Sequence, residues 1–544
     1  MHALTYRALS FLLSFIFLSQ VICTSDFSGR RCRCLPGDAC WPSVREWNAL
    51  NRTIKGRLLR LRPVGSVCHG AEYDEDACDA VRAGSGSALW RIAQPGALVA
   101  NNWETPGTDE MCLINAPRET PCNQGRTPHY AVMAESVQDI QVAVRFARRH
   151  NLHVVIRNTG HDGAGRSSGP GSLQINTSRL KQIQFHDEFV PSGGRHALGS
   201  AVTAGSGFLG VELLEAARTR GLNVVSGVCS SVGVTGGFLL GGGVGLLSPL
   251  HGLGSDNALQ FRVVTADGDL IVANHIQNPD LFWALRGGGG GTFGVVVEAT
   301  IRTFPEVPAI LFTLSANLSG DTAHRSIWAI ARELVTLLPD LKRRDEATSA
   351  ILATGLAVDG ANLLARILFP TRTEKDLAET HAQFNDFFEA LDDLDLPLEG
   401  NYGRLEGSVL ISDELFFAPN GTSTISNLVA DLEYVPGESM EILVASDSTL
   451  QITLRRYLPP PSTAKTFANS PLPRLRALES PSLGSYLNTG DPEEPGFQEA
   501  FWGGNYEKLL RAKRKWDSDS LFIVHLGVGS EGWDEEGICW GKDP

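Results

Sequence analysis

The chain has 544 residues and a formal net charge of −14, with 42% hydrophobic and 20% charged residues. That composition describes a folded globular protein and lacks the basic footprint that nucleic-acid binding requires. At this length a single hydrophobic core does not suffice, so two or three subdomains are expected.

Residues 1–23 read as a secretory signal peptide. A start carrying His2 and Arg7 leads into the apolar run Ala8–Ser19, and Val21-Ile22-Cys23 offers residues tolerated at a cleavage site. The run is shorter than the ~20 residues of a spanning helix. No later stretch is long and apolar enough to cross a bilayer, so a secreted chain with no membrane partner is expected. Cleavage after Cys23 leaves Cys32, Cys34, Cys40, Cys68, Cys78, Cys112, Cys122, Cys229 and Cys539. In an oxidising compartment these form disulfides that staple the N-terminal segment. Setting aside the isolated Cys229 leaves a set that can pair completely. Asn-X-Ser/Thr triplets at Asn51, Asn176, Asn317 and Asn420 are glycan acceptors in an exported chain. Asn176, in an expected strand, is the poorest of them.

Residues 24–123 form a cysteine-rich, loop-rich lead-in, in which a turn at Asp38-Ala-Cys-Trp-Pro opens a helix. A short strand at 131–134 follows, with Ser136 as N-cap of an amphipathic helix carrying Val137, Ile140, Val144 and Ala147. The buried strand Val154–Ile156 runs into the turn Asn158-Thr-Gly-His-Asp-Gly-Ala-Gly165, and Leu173–Asn176 is another strand. A helix begins at Val211, strand-like residues follow at 223–225, and 227–245 is a glycine-dominated loop system. Residues 259–265 and 270–273 read as a hairpin. Leu281–Leu285 is a short helix, 287–291 a glycine loop and Val295–Arg302 a strand. After Pro305 strands alternate with helical stretches near 322–338 and 373–392. The tail carries a helix at 505–516 and strand-like residues at 521–524.

The chemistry concentrates in VVIRNTGHDGAGRSS, around His161. Glycines let a backbone turn tightly and approach another molecule, and successive N–H groups can cradle a diphosphate without a lysine. Taken alone, this is a glycine-rich turn with one histidine. The glycines come too late and in runs too long for a nicotinamide-binding G-x-G-x-x-G site. There is no G-x-x-x-x-G-K-[ST] loop, no H-E-x-x-H and no paired C-x-x-C, so a metal site has no support.

The succession of that turn, GVCSSVGVTGGFLLGGGVG and LFWALRGGGGGTFGVV resembles the FAD-binding domain of the vanillyl-alcohol oxidase and p-cresol methylhydroxylase (PCMH) superfamily. The closer similarity is to its berberine-bridge-enzyme-like branch. The likeness covers about residues 124–307 and resumes at FWGGNYEKLLRAKRKWDSDSLF, 501–522. The segment CRCLPGDACWPS is similar to secreted fungal members, including isoamyl-alcohol-oxidase-like proteins. The resemblance implies an α+β fold: a two-part PCMH-type FAD-binding domain (124–307, completed by 481–544) with an inserted α+β substrate domain (308–480).

It also implies roles. His161 matches the histidine bonded to the flavin 8α-methyl, and Arg157, Asn158, Thr159, Gly160 and Asp162 match the loop around the pyrophosphate. Ser168 lies where that loop continues along the cofactor. Cys229 matches the cysteine that some members attach to flavin C6. Gly233, Gly236 and Gly237 match backbone near the isoalloxazine and ribityl chain. Val295 and Val296 match the segment near the adenine, and Asn505-Tyr506 the C-terminal pair at the flavin edge. Tyr486 stands where an active-site tyrosine is often found, as base or substrate-orienting group, with Tyr402 as its rival. Two departures stand out: Thr159-Gly-His replaces Gly-Gly-His, and Ser230 follows Cys229 where proline is frequent. The latter leaves open whether Cys229 is flavin-linked, disulfide-bonded or a buried thiol. The implied activity is oxidation of an alcohol or related C–H bond of a small molecule, with FAD as cofactor and O2 as acceptor. Apolar residues in 310–480 favour a non-sugar ligand. A carbohydrate oxidase and a flavin-carrying binding or defence protein without turnover are the alternatives. Oligomeric state is not implied.

Overall fold

The computed structural model describes residues 31–99, 111–227, 229–320, 322–357, 360–393, 402–404, 408–410, 438–445, 449–456, 484–490 and 492–541. The expected signal peptide and the Asn420 triplet lie outside these residues.

A βαβ unit sets up the glycine-rich turn. Strands Tyr130–Met133 and Val154–Arg157 both run parallel to Leu173–Asn176, which lies between them, and Leu58–Arg60 closes one edge antiparallel to 130–133. The crossover is helix Val137–Arg149, opened by a capping box in which Ser136 and Asp139 satisfy each other's backbone N–H. Its Ile140, Ala143, Val144 and Ala147 are fully buried, the stripe a 3.6-residue period lays against a sheet. The turn holding His161 thus leaves the carboxyl end of a buried parallel strand.

Beside this unit lies a five-stranded antiparallel sheet, in the order 270–274, 258–264, 295–302, 201–205, 183–186. The expected hairpin is there, with Val264 opposite Leu270. A third sheet is built from the long antiparallel strands Ala309–Ser319, Gly360–Pro370, Ser349–Ala357, Glu438–Ala445 and Thr449–Arg456, with two short strands, Tyr402–Arg404 and Ser408–Leu410, paired to 309–319. Helix Ala323–Arg344 covers one face, packing Ile327, Ile330, Leu334 and Leu338 with Leu363, Ala365, Ile367 and Phe369. Alternation along a strand puts Leu364, Arg366 and Leu368 on the other face. That face meets the first part of the chain: Leu368 packs with Val225, Leu246 and Leu247, and Ser349 Oγ donates to the Leu246 carbonyl at 2.7 Å. The fold is α+β, as the resemblance implied.

Several elements differ from their sequence reading. The glycine-dominated stretch is partly helical, with a π-helical turn at Val234–Phe238 followed by a 3-10 turn at Leu239–Gly241. The strand expected at 223–225 is only Leu222–Asn223, paired with Phe304–Pro305. Helical character over 373–392 is split between Leu377–Ala382 and Asn385–Asp393. Residues 521–524 form no strand. Their backbone is bound by a side chain instead: the buried Asp517 carboxylate accepts from Leu521 N at 2.7 Å and Phe522 N at 2.8 Å.

Cystine bridges join Cys34–Cys40, Cys68–Cys78, Cys112–Cys122 and Cys32–Cys539, and Cys229 remains a thiol. The lead-in is therefore no self-contained knot, since its first cysteine reaches the far end of the chain, where Arg31–Cys32 also pairs with Cys539–Trp540. Asn176 is fully buried. Its amide donates to Gln174 Oε1 and its Oδ1 accepts from Ser178 Oγ, so it has no room for a glycan. Among the described residues no helix is long and apolar enough to cross a membrane.

His153 gives this region a pH dependence. Its ring is buried beside the Pro170 carbonyl, 3.2 Å from Nδ1, and burial pushes the imidazole down to about 4. The unfolded chain binds a proton there near pH 6.5 and the folded chain does not. The stabilisation is therefore complete above pH 6.5 and lost as pH falls toward 4, on the order of 3 kcal/mol in all. Denaturant titrations at pH 7.0 and 4.5 are expected to show a smaller acid-induced loss in His153→Gln than in the parent.

Candidate functional site

The turn after Val154–Arg157 is held from several sides. Gly160 has φ +81°, a left-handed conformation that favours glycine, and its carbonyl accepts from Val99 N at 3.0 Å. Asp162 binds the Arg166 guanidinium at 2.6 Å, and Arg166 Nη2 donates to the Leu487 carbonyl at 3.2 Å. The loop is thereby fixed to the C-terminal segment that carries Tyr486. Ser168 ends it, with Oγ donating to the Arg126 carbonyl at 2.7 Å. His161 is half-buried, with Nε2 2.9 Å from Ser231 Oγ. Cys229 lies two residues before Ser231, so His161 and Cys229 come to the same place from distant parts of the chain. Cys229 packs with Val99, Ala88 and Ile92. The lead-in therefore supplies a wall of the site, which the sequence reading missed.

Asn158 organises the opposite side. Its amide donates to the Ser206 carbonyl and to Thr177 Oγ1. A side chain at Gly233 or Gly236 would collide with it. Asn158 alone therefore requires glycine at both positions. Thr159, nearly fully buried, packs against Gly233 as well. Gly237 differs, because a Cβ there would meet nothing within 4 Å. Around this space lie buried polar atoms without a protein partner among the described residues: Arg157 Nε and Nη1, Asn158 Oδ1, Ser206 Oγ and Ser226 Oγ. Arg157 is fully buried, its Nη2 donating to the Arg91 and Ile92 carbonyls, and burial pushes its guanidinium down to about 10. Buried polar groups are normally satisfied, so this set fits the neighbourhood of a large polar group.

Tyr486 sits against Gly242. Its phenolic oxygen accepts from Gly243 N at 3.0 Å, Val244 N at 3.1 Å and Asn488 Nδ2 at 2.7 Å. Three N–H groups thus converge on that oxygen. The rival Tyr402 lies in the short strand opposite Ala316. Tyr486 and the exposed Asn505 open onto a cleft of about 620 Å³ with Trp283, Arg286 and Trp502, and neither His161 nor Cys229 lines it. Asn505 is thus brought near Tyr486 rather than the histidine. Its neighbour Tyr506 is structural: the hydroxyl donates to Glu531 at 2.5 Å, and burial followed by that contact pushes the phenol well above its usual range. Val296 is a core side chain in strand Val295–Arg302.

Residues 128–274 match a family described as FAD binding domain, and residues 485–529 match one described as Berberine and berberine like. The chain is 49% identical to the flavin-dependent oxygenase ucdF of Aspergillus ustus, over 91% of this chain and 99% of the relative. It is 39% identical to the FAD-linked oxidoreductase malF of Malbranchea aurantiaca, over 94% of each. The VAO-type flavoprotein MtVAO615 of Myceliophthora thermophila C1 superposes with a TM-score of 0.73 at 28% identity, over 94% of this chain and all of the other. Berberine bridge enzyme from Eschscholzia californica shares the fold, with a TM-score of 0.58 at 17% identity, over 89% of this chain and 98% of the other.

Gly233→Ala forces Asn158 out of its slot at a cost of about 1–3 kcal/mol. Absorbance of the folded protein at 450 nm is expected to show flavin occupancy reduced by roughly tenfold at limiting FAD, with little change in far-UV circular dichroism.

Proposed function

The chain belongs to the FAD-linked oxidoreductases of the berberine-like family, and on that premise we propose that it is a secreted oxidase. It holds FAD covalently through His161 and oxidises an alcohol or related C–H bond of a small molecule, in secondary metabolism, with O2 as acceptor. The observation that carries this reading is the contact between His161 Nε2 and Ser231 Oγ at 2.9 Å. It joins the histidine to a residue two positions past Cys229, which supports a flavin held from both segments. Cystine bridges support an oxidising compartment.

In this reading Arg157, Asn158, Thr159, Gly160 and Asp162 shape the loop at the diphosphate. Ser168 fixes the loop's far end. Gly233 and Gly236 admit Asn158, while Gly237 leaves room for the ring and ribityl chain. The backbone at Val296 borders the adenine, and Asn505 borders the Tyr486 cleft. Cys229 is the second attachment point. The flavin, when bound, supplies the electron acceptor, while the protein supplies position and electrostatics. Loss of hydride from an alcohol carbon is coupled to loss of the hydroxyl proton. Tyr486 takes that proton, since its three donors stabilise negative charge on the phenolic oxygen.

Two measurements test this. Peptide mass spectrometry of the exported protein is expected to find FAD on the His161 peptide, and in the double variant His161→Ala/Cys229→Ala the flavin leaves on acid precipitation. Tyr486→Phe is expected to keep its flavin but to slow anaerobic bleaching by an accepted alcohol by about 10²–10⁴-fold. A colourless parent would remove the oxidase reading, and bleaching at the parental rate in Tyr486→Phe would remove the tyrosine's role.

A further inference from the structure

Arg126 and Glu536 form a half-buried ion pair between the two ends of the chain. Both stand outside the segments 128–274 and 485–529 that match the two families. Arg126 faces two ways. Its Nη1 donates to Glu536 Oε1, while its Nη2 donates to the carbonyls of Gly165 and Ser168, each at 3.2 Å. Ser168 Oγ returns a hydrogen bond to the Arg126 carbonyl at 2.7 Å. These contacts hold the far end of the turn that carries His161. Gly165 N donates to the Asp162 carbonyl at 3.1 Å and Ser168 N to the Gly165 carbonyl at 3.2 Å, so the stretch is compact. Glu536 is fixed in its turn. Asp534 accepts from Ile538 N at 2.7 Å and Cys539 N at 2.9 Å, and Cys539 is bonded to Cys32. Glu536 Oε2 is buried without a hydrogen-bond partner among the described residues. Burial pushes that carboxyl up, against the pull of the Arg126 charge. A guanidinium is a rigid planar fork. The nitrogen held by the carboxylate therefore sets the direction of the nitrogen that holds the turn.

We infer that Arg126 is a positioning residue for His161: braced by Glu536 of the C-terminal tail, it holds the far end of the turn and so keeps the imidazole aimed for attachment to the flavin. This rests on the FAD reading above. In the attachment step a ring nitrogen of His161 bonds to the flavin 8α-carbon. One C–H bond of that carbon breaks, and the imidazole gives up its N–H proton. The electron pair of the broken bond stays on the ring system until O2 takes it with the two protons, giving hydrogen peroxide. Arg126 touches none of the reacting atoms. The near end of the turn is held separately, by Val99 N on the Gly160 carbonyl. His161 stands between the two anchors, so loss of Arg126 frees the far end and widens the range of orientations open to the imidazole. Lysine keeps the charge opposite Glu536 but lacks the fork that reaches both partners.

The test uses the full-length chain from riboflavin-starved culture, supplied with FAD in air. Three quantities are read: FAD affinity on mixing, the rate at which the His161 peptide gains acid-stable flavin at saturating FAD, and deuterium uptake of the 161–168 backbone before FAD is added. Arg126→Met is expected to keep its FAD affinity, to attach flavin about tenfold more slowly and to take up deuterium faster. Arg126→Lys is expected to recover part of the rate, and Glu536→Gln to show a smaller fall in the same direction. A merely structural arginine would not separate affinity from attachment rate. A parental rate in Arg126→Met overturns the inference, as does a deficit that vanishes at saturating FAD, and both leave the flavin reading intact. Absence of flavin from the His161 peptide of the parent overturns the covalent reading instead. Deuterium uptake then judges the brace: faster exchange in Arg126→Met upholds it, and unchanged exchange overturns it. Should Arg126→Met not fold, the half-buried Glu536→Gln decides by the same three quantities.

Discussion

The fit of Asn158 into the space left by Gly233 and Gly236 is the constraint on which the site depends. Its amide spans to Thr177 and Ser206, so one side chain ties the turn, the βαβ unit and the second sheet together. Beside that slot the glycine stretch runs along the turn, where Ser231 meets His161. Several buried polar atoms near the slot have no partner among the described residues. Leaving such atoms unpaired costs stability, and a ligand that binds only the folded chain adds to it.

The C-terminal segment is locked to the same framework by a buried cation. Lys513 Nζ donates to the Thr292 carbonyl at 2.7 Å and to Asp517 at 2.5 Å, while Asp517 binds the backbone at 521 and 522. Lys513 and Asp517 are both almost fully buried. Such a pair confers little net stability but is severely disrupted if either partner is removed. It fixes helix Tyr506–Trp516 against the glycine loop at 287–291, whose flank carries Thr292, while Arg166 reaches from the turn to Leu487. The segment bearing Tyr486 is thus anchored to both parts of the first unit.

Where local pattern decides structure, the sequence was legible. The helix after Ser136 has a capping box and a clean apolar stripe, and both appear in the fold. The hairpin around Asp267-Gly268 has alternation and a turn, and it appears too. Residues 521–524 misled, because four apolar residues satisfy a strand and an irregular buried segment equally until Asp517 binds their backbone. Strands 183–186 and 201–205 were passed over: one is mostly exposed, and the other is a short run of small residues. The turn and its histidine were visible from glycine spacing and family likeness. Ser231 carried a faint signal, as a hydroxyl two residues past Cys229. The wall formed by residues 88–99 depended on long-range packing that no local pattern encodes.

Joining Cys32 to Cys539 closes a covalent loop between positions separated by 507 in sequence. That bond cannot form until almost the whole polypeptide has left the ribosome. Maturation therefore has an enforced order: local cystines such as Cys68–Cys78 can close while synthesis continues, but the clasp between the two extremities is a finishing step. A chain truncated anywhere ahead of residue 539 leaves Cys32 without the partner it has here.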